Sequence, residues 1–426
     1  MTASGSDGIS RRAFLKGAVA VGGASGLAAC VDRQGAVDVP RGPADLSTLP
    51  ERQHAWNAVL STDDAGNPLP PRHHVLLSFD LPGDAPPTAD QRTTVAAALD
   101  SLNRAYRWSD DGLLFTIGYS PAYFDRFDAG LPDGVGLPEP EALAPFESPT
   151  MGDADALVHL ASDHPQVVLR AEQALRGENE RLNGVQMTGA TDVLSVADRR
   201  TGFVGSGLPA EHEDVADLPD GTVPDEAPMF MGFKSAFQKN QASEDRVTIR
   251  TGPFERGTTQ HVSRLTIDLE QWYEQDGRYQ RVAKMFCPHH AESGTVEGTG
   301  ANLGTGTEMD ACGDPIETAR DFGVLGHSQK MVSVREDGSP IVLRRDFDST
   351  DGDRPGLHFV ALQRTIEDFV RTREAMNGTE IARETPVGTR LNNGILQYLT
   401  VHRRANYLLP PRRHRALPTP RPGESA

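Results

Sequence analysis

Apolar positions in the first half of the chain follow two periods. Short runs of consecutive or alternating apolar residues predict four strands, at 74–80, 113–118, 156–161 and 192–197. Between the first two runs, Val95, Leu99 and Leu102 recur at three- and four-residue intervals, which predicts a helix. A second helix is predicted from Pro165, with Asp163 available as its N-cap. The order is therefore β-α-β-β-α-β, the ferredoxin-like arrangement.

The second half repeats this order more loosely. Strands are predicted at 260–268, 341–345, 356–363 and 397–402, and a helix with Ile366, Phe369 and Met376 along one side follows the third. We therefore predict an α+β fold of two ferredoxin-like halves, with antiparallel sheets packed by helices, as in a dimeric α+β barrel. The expected divisions are a signal at 1–30, a linker at 31–50, a first half at 51–200, a connecting segment at 201–256, a second half at 257–410 and a flexible tail at 411–426.

The net charge of the chain limits the classes of partner that it can bind. The formal net charge is -18, and lysine occurs only at 16, 234, 239, 284 and 330. An acidic, lysine-poor surface is typical of proteins that stay soluble in high salt, so we expect a halophilic source. The same acidity argues against nucleic acid as a partner, because phosphate binding needs clustered Lys and Arg.

The first thirty residues resemble an export signal. Residues 10–16 read SRRAFLK, similar to the twin-arginine pattern, and a short apolar run leads to LAAC at 27–30, similar to a lipobox. The resemblance implies export of folded protein, a lipid on Cys30 and a place on the outer face of the cytoplasmic membrane. The lipid would be the sole membrane attachment.

Two further cysteines, Cys287 and Cys312, leave three states open. Outside the cytoplasm a disulfide between them can persist. The sequence Cys287-Pro288-His289-His290 with Cys312 offers soft metal ligands but lacks paired C-x-x-C spacing. Free thiols are the third state.

One spacing relates a histidine to a short apolar strand that ends in arginines. His327 precedes Arg344 by seventeen positions, and Arg344 lies in the run Ile341–Asp346, which reads IVLRRD. This spacing resembles that of the dye-decolourising peroxidase family, which shows a His at this distance before an I-L-R-R or I-L-R-D-N strand. The resemblance implies that His327 is the axial ligand of a haem b iron. It implies that Arg344, with Asp346 beside it, acts on bound peroxide.

Two other segments extend the resemblance. The run from Gly356 to Gln363 is similar to the family's G-L-x-F strand, which implies that Leu357 and Phe359 wall the haem pocket. Gly232-Phe233 and, twenty-five positions later, Gly257 resemble the family's G-F-x-D-G-T and G-G-S-Y-x-V-x-R segments. This match implies that Arg264 contacts the cofactor and that the connecting segment contributes to the distal pocket.

The chain departs from the family at the distal acid. The family's aspartate, its usual proton shuttle, falls on Ser235, and serine is a poor base. Two other registers exist. One keeps the G-F start at Gly202-Phe203 but again has no Asp. The other keeps D-G-T at 220–222 and would make Asp220 the shuttle, although Pro219-Asp220-Gly221 is also a strong turn signal. The spacing favours Ser235.

Three functions remain open from the sequence. The first is a haem peroxidase that uses hydrogen peroxide to oxidise a bulky or unknown reductant, with Trp272, Tyr398 or Tyr407 as electron relays. The second is a surface lipoprotein that binds haem or another porphyrin with little turnover. The third is a peroxidase-like fold with no cofactor. We favour the first; a homo-oligomer is compatible with all three.

Overall fold

The computed structural model describes residues 38–423 except 65, 217, 219–220, 234–240, 295 and 297–311. The strands are β1 His73–Asp80, β2 Leu114–Tyr119, β3 Thr150–Met151, β4 Ala156–Ser162, β5 Arg181–Leu182, β6 Val185–Gln186, β7 Ser195–Phe203, β8 Thr258–Ile267, β9 Leu343–Arg344, β10 Phe347–Ser349, β11 Gly356–Gln363 and β12 Leu399–Leu409. The α-helices are α1 Ala89–Ala105, α2 Pro121–Phe124, α3 Pro165–Leu175, α4 Leu208–Glu211, α5 Glu244–Val247, α6 Arg278–Met285, α7 Pro288–Ser293, α8 Pro315–Phe322, α9 His327–Met331, α10 Ile366–Asn377 and α11 Thr379–Glu384.

The sheet is a closed barrel. Its strand order is β10-β7-β1-β4-β2-β12-β8-β11-β9, and an additional pairing of β10 with β11 closes the barrel. Apart from β3, which runs parallel to β12, the described pairs in this barrel are antiparallel. Closure leaves few free sheet edges. The α+β prediction is confirmed, with the antiparallel strands of both halves in one barrel.

The first predicted helix forms as expected. Thr88 and Gln91 make a capping box at the start of α1, in which each side chain binds the other residue's backbone N–H. Val95, Leu99 and Leu102 of the predicted stripe are all at most 1% exposed. They pack with apolar side chains of β1, β2, β4 and α3 in one buried cluster, called the first core below.

The segment after Pro410 is not a flexible tail where the structure describes it. Arg415 and Leu417 are 4% and 0% exposed. The Tyr119 hydroxyl donates to the Arg415 carbonyl at 2.6 Å and accepts from the Leu417 N–H at 2.9 Å. The expectation of a flexible tail does not hold at these described residues, because Leu417 supplies part of the first core.

Two strand predictions needed new bounds. The run predicted at 192–197 forms β7 at Ser195–Phe203, whose first three residues are exposed. The strand predicted at 341–345 shortens to Leu343–Arg344. Among the described residues, none of the helices is both long enough and apolar enough to span a bilayer.

Candidate functional site

A cavity of about 490 Å³ lies against β8, β11, α9 and α10. Strand alternation turns Leu265 and Ile267 of β8 and Leu357 and Phe359 of β11 toward it. Phe369, Arg373 and Met376 of α10 reach it at helical spacing. Further apolar lining comes from Met229, Met231, Phe233, Met285, Phe286, Met331, Val334, Ile341, Val342, Ile395, Leu396 and Leu399.

His327, the first residue of α9, lines this cavity. Its Nδ1 atom is buried without a hydrogen-bond partner among the described residues. Burial, with smaller contributions from Lys330, Arg344 and Arg373, lowers the pKa of His327 to about 3. The imidazole is therefore neutral near pH 7, the form in which histidine binds metals.

Two contacts fix α9 in place. A Cβ at Gly326 would lie 1.6 Å from the Phe286 carbonyl oxygen, so only glycine permits this approach of α9 to the end of α6. Lys330 is buried, and its Nζ donates to Asn393 Oδ1 and to the Met376 carbonyl, each at 2.6 Å. Burial holds the pKa of this lysine well below its usual range.

The segment 344–348 presents charged residues to the cavity at every second position. Arg344, Asp346 and Asp348 line it. The intervening Arg345 points elsewhere, since its Nη2 donates to Asn57 Oδ1 at 2.7 Å. The other intervening residue, Phe347, stacks on His74 with ring centroids 4.4 Å apart. The alternation is that of an extended strand.

Arg344 and Asp346 also line a second, open cleft of about 1860 Å³. Met229, Arg335 and Pro340 are likewise common to both spaces. These shared residues form the junction between the cleft and the inner cavity.

A buried cluster of Arg373, Arg404 and Glu147 lies on the cavity wall. Glu147 accepts from Arg404 Nη2 at 2.9 and 3.0 Å and lies 3.6 Å from Arg373 Nη2. These three side chains are at most 7% exposed. Two guanidinium groups share one carboxylate, so the cluster retains a positive charge that suits an anionic group of a ligand.

The predicted site residues divide into those that share the cavity and those that do not. His327, Arg344, Asp346, Leu357 and Phe359 share it. Arg264 does not line it, because Arg264 alternates with Ser263 and Leu265 on β8 and its charged neighbours are Arg200, Asp198, Asp351 and Arg403. Ser235, Asp220 and Cys30 lie outside the described residues.

The three candidate relay residues are buried. Trp272 is 0% exposed, and its ring lies 4.9 Å from that of Tyr398 and 6.1 Å from that of the cavity residue Phe233. The Tyr398 hydroxyl contacts Asp276 and Lys284. Tyr407 belongs to a separate apolar cluster with Leu343 and Val360.

Cys287 and Cys312 form a disulfide bond, with 5.8 Å between their Cα atoms. Of the three states that the sequence left open, the structure shows the disulfide. Cys287 directly follows the cavity residue Phe286, and Gln329 of α9 donates to the Cys312 carbonyl at 2.8 Å. The bond therefore ties together two segments that position α9.

The fold is that of the DyP-type peroxidases. One similar solved structure is an encapsulated DyP-type peroxidase from Mycobacterium smegmatis, with a TM-score of 0.55, 14% identity, and 85% of this chain and 99% of that chain covered. Another is a dye-decolorizing peroxidase from Bacteroides thetaiotaomicron, with a TM-score of 0.52, 15% identity, and 84% of this chain and 98% of that chain covered. A third is a DypB variant from Rhodococcus jostii RHA1 in complex with heme, with a TM-score of 0.52, 15% identity, and 85% of this chain and 98% of that chain covered.

The sequence itself matches a family model over residues 71–411. The chain belongs to that family, described as a family of unknown function, DUF7405. The sequence comparison with curated proteins finds no match.

Among the charged residues of the cavity, sequence reasoning missed Glu147, Asp348, Arg373 and Arg404. Asp348 carries the clearest available signal, since it continues the alternation of Arg344 and Asp346 by one step. The other three carry no local signal, because their meeting depends on the closure of the barrel.

Proposed function

We propose that this chain is a haem peroxidase of the dye-decolourising type, which uses hydrogen peroxide to oxidise a reductant. The observation that carries the proposal is that His327 and Arg344 line the same largely apolar cavity. Their relation in sequence resembles that of the axial His and distal Arg of the peroxidase family, and the fold is the same.

The cavity residues fit a haem group. His327 offers a neutral imidazole with a ring nitrogen that has no protein partner among the described residues. Leu357, Phe359 and Phe369 provide apolar surface for a porphyrin. The cluster of Arg373, Arg404 and Glu147 suits its carboxylate groups. When bound, haem would supply the electrons that cleave the peroxide and accept them back from the reductant.

The chain's own residues would hold and orient the peroxide. Arg344 lies where the cleft meets the cavity, so its guanidinium can bind a peroxide that enters from the cleft. A fixed guanidinium stabilises the negative charge that develops on the departing oxygen. The apolar lining limits water around this charge, which strengthens the interaction.

The proposal is tested with His327→Ala and, as a matched control, His402→Ala. His402 also lines the cavity, but its Nε2 is hydrogen-bonded to Thr266 Oγ1 at 2.9 Å. We expect His327→Ala to lose haem or shift its Soret band while His402→Ala retains it. Wild-type protein from a haem-replete host that shows no Soret band would contradict the proposal.

One observation favours haem binding with little turnover as a second candidate. The groups whose charge acts on His327 are the cations Lys330, Arg344 and Arg373, with no acid of the described residues among them. An acid partner would strengthen the donation of an axial His to iron. Stopped-flow mixing with peroxide separates the candidates, because a carrier would show a Soret band that peroxide leaves unchanged.

We also propose export through the twin-arginine route with a lipid on Cys30. The SRRAFLK and LAAC sequences support this localisation. Cys30→Ser should release the protein from the membrane fraction, and a variant that stays there would exclude the lipid.

A further inference from the structure

Asp348 is a cavity carboxylate in contact with the loop that would carry the missing distal acid. It lies on β10, is 1% exposed and lines the cavity. Its Oδ2 accepts from the backbone N–H of Phe230 at 2.6 Å. Phe230 precedes Gly232-Phe233, where the resemblance to the G-F-x-D-G-T segment begins. The Asp348 carboxylate of β10 thus contacts the segment around Phe230, whose own sequence lacks the family's aspartate.

The surroundings of Asp348 favour its protonated form. Burial, and then the charge of Asp346, raise the pKa of Asp348 well above its usual range, while the Phe230 N–H acts in the opposite direction. The residues opposite it on β7 and β11, Phe203 and Leu357, are apolar. A titratable group near it from another element is the Tyr273 hydroxyl, which donates to the Phe230 carbonyl at 2.8 Å.

Asp346 completes a pair with different surroundings. It lies two positions earlier on the same face, at the junction with the open cleft, whereas Asp348 lines only the inner cavity. Two carboxyl groups in unequal surroundings can divide into an acid and a base, and here burial, with the charge of Asp346, favours the protonated form of Asp348. Arg344, two positions before Asp346, brings the guanidinium to the same face.

We propose that Asp348 is the proton donor, and Asp346 the proton acceptor, for cleavage of the peroxide held by Arg344. Asp346 takes the proton from one peroxide oxygen. Asp348 gives its proton to the other, the O–O bond breaks, and that oxygen leaves as water. The proton on Asp346 then returns to Asp348. The bound haem would supply the two electrons that this cleavage needs, and two reductant molecules would each return one electron and one proton. The remaining oxygen then also leaves as water, so one peroxide and two reductants yield two waters. This inference rests on the proposed peroxidase function.

The first test needs no haem. Infrared spectra of the apoprotein at pH 7 should show the C=O stretch of a protonated carboxyl group. The band should disappear in Asp348→Asn and persist in Asp337→Asn, a control at an exposed residue away from the inner cavity. Asn keeps the oxygen that accepts from Phe230. Absence of the band in wild-type protein would overturn the proposal, even if the variant failed to fold.

The second test uses two oxidants on the haem-loaded protein. Asp348→Asn should react with hydrogen peroxide about 100-fold or more slowly, the size of a lost general acid. Its reaction with peracetic acid should be slowed far less, because acetate leaves without needing a proton. A purely structural defect would slow both reactions alike and would overturn the proposal.

The outcomes separate the inference from the proposed function. If wild-type protein reacts with peroxide and Asp348→Asn reacts equally fast, the inference is wrong and the function stands. If haem-loaded wild-type protein does not react, the proposed function fails and the inference fails with it.

Discussion

Arg344 and Arg264 lie on strands of the same barrel, but only Arg344 reaches the cavity. We expect Arg344→Leu to retain haem, because the guanidinium is not a ligand, and to react with peroxide about 100-fold more slowly. The physical reason is the loss of one preorganised charged donor, which costs about 2.7–4 kcal/mol of barrier.

Arg264→Leu is the matched control for this prediction. It removes a guanidinium from the face of β8 that points away from the cavity. The rate of reaction with peroxide should therefore stay near that of wild-type protein. Stopped-flow traces of the Soret band measure both rates. Equal slowing in the two variants would show that Arg344 has no special role.

At the residue scale, the sequence predicted the part of the site that local spacing encodes. His327 and Arg344 lie seventeen positions apart and could be matched to a family pattern. Glu147 and Arg404 are 257 positions apart, so no local pattern indicates their ion pair. Polar residues of this kind become site residues only through long-range packing.

At the scale of elements, the position of α9 depends on the missing side chain of Gly326. We expect Gly326→Ala to destabilise the fold by about 1–3 kcal/mol, because the added methyl group would overlap the Phe286 carbonyl and force a backbone shift. The displacement of His327 should also weaken haem binding, measured by titration of the apoprotein with haem.

Gly130→Ala provides the control for Gly326→Ala. A Cβ at Gly130 would meet no atom within 4 Å. This variant should match wild-type protein in melting temperature and haem affinity. An unaltered affinity in Gly326→Ala would mean that α9 tolerates the shift.

The elements themselves were largely predictable, because their apolar periods are clear. The pairing of β12 was not, since it lies between β2 and β8 and so joins the two predicted halves. Leu408 pairs with Tyr119 on one side and with Thr259 on the other. Apolar periodicity identifies a strand and its buried face but contains no information about which strands lie beside it.

For the whole molecule, buried histidines predict how stability depends on pH. Burial lowers the pKa of His54, His159 and His261 to about 3, and that of His74 falls well below its usual range. In the unfolded chain a His titrates near 6.5. Below about pH 6.5 the unfolded chain therefore binds protons that the folded protein excludes. The free energy of unfolding should therefore decrease as the pH is lowered, by about 1.4 kcal/mol per pH unit for each such His.

Denaturant unfolding at pH 7.5, 6.0 and 5.0 measures this dependence. His159→Gln should remove one histidine's share of the slope between pH 6 and 5. The same change at His289, whose side chain is 43% exposed, should leave the slope as it is. Stability that rises on acidification would contradict the sign of this prediction.

The burial of Leu408 and Leu417 in the first core has a consequence for the timing of folding during synthesis. Tyr119 and Leu417, which share a hydrogen bond, are 298 positions apart. The ribosome releases the first half early, yet that half cannot complete its core or its barrel until residues 399–417 have emerged.

Nascent chains arrested with residue 398 as the last one outside the tunnel should be cleaved rapidly by protease, and chains that expose residue 423 should resist. Protection of the shorter chains would show that the first half folds alone. Distant pairing of this kind slows folding and prolongs the exposure of apolar strands, so the growing chain would need chaperone protection until residues 399–417 have emerged.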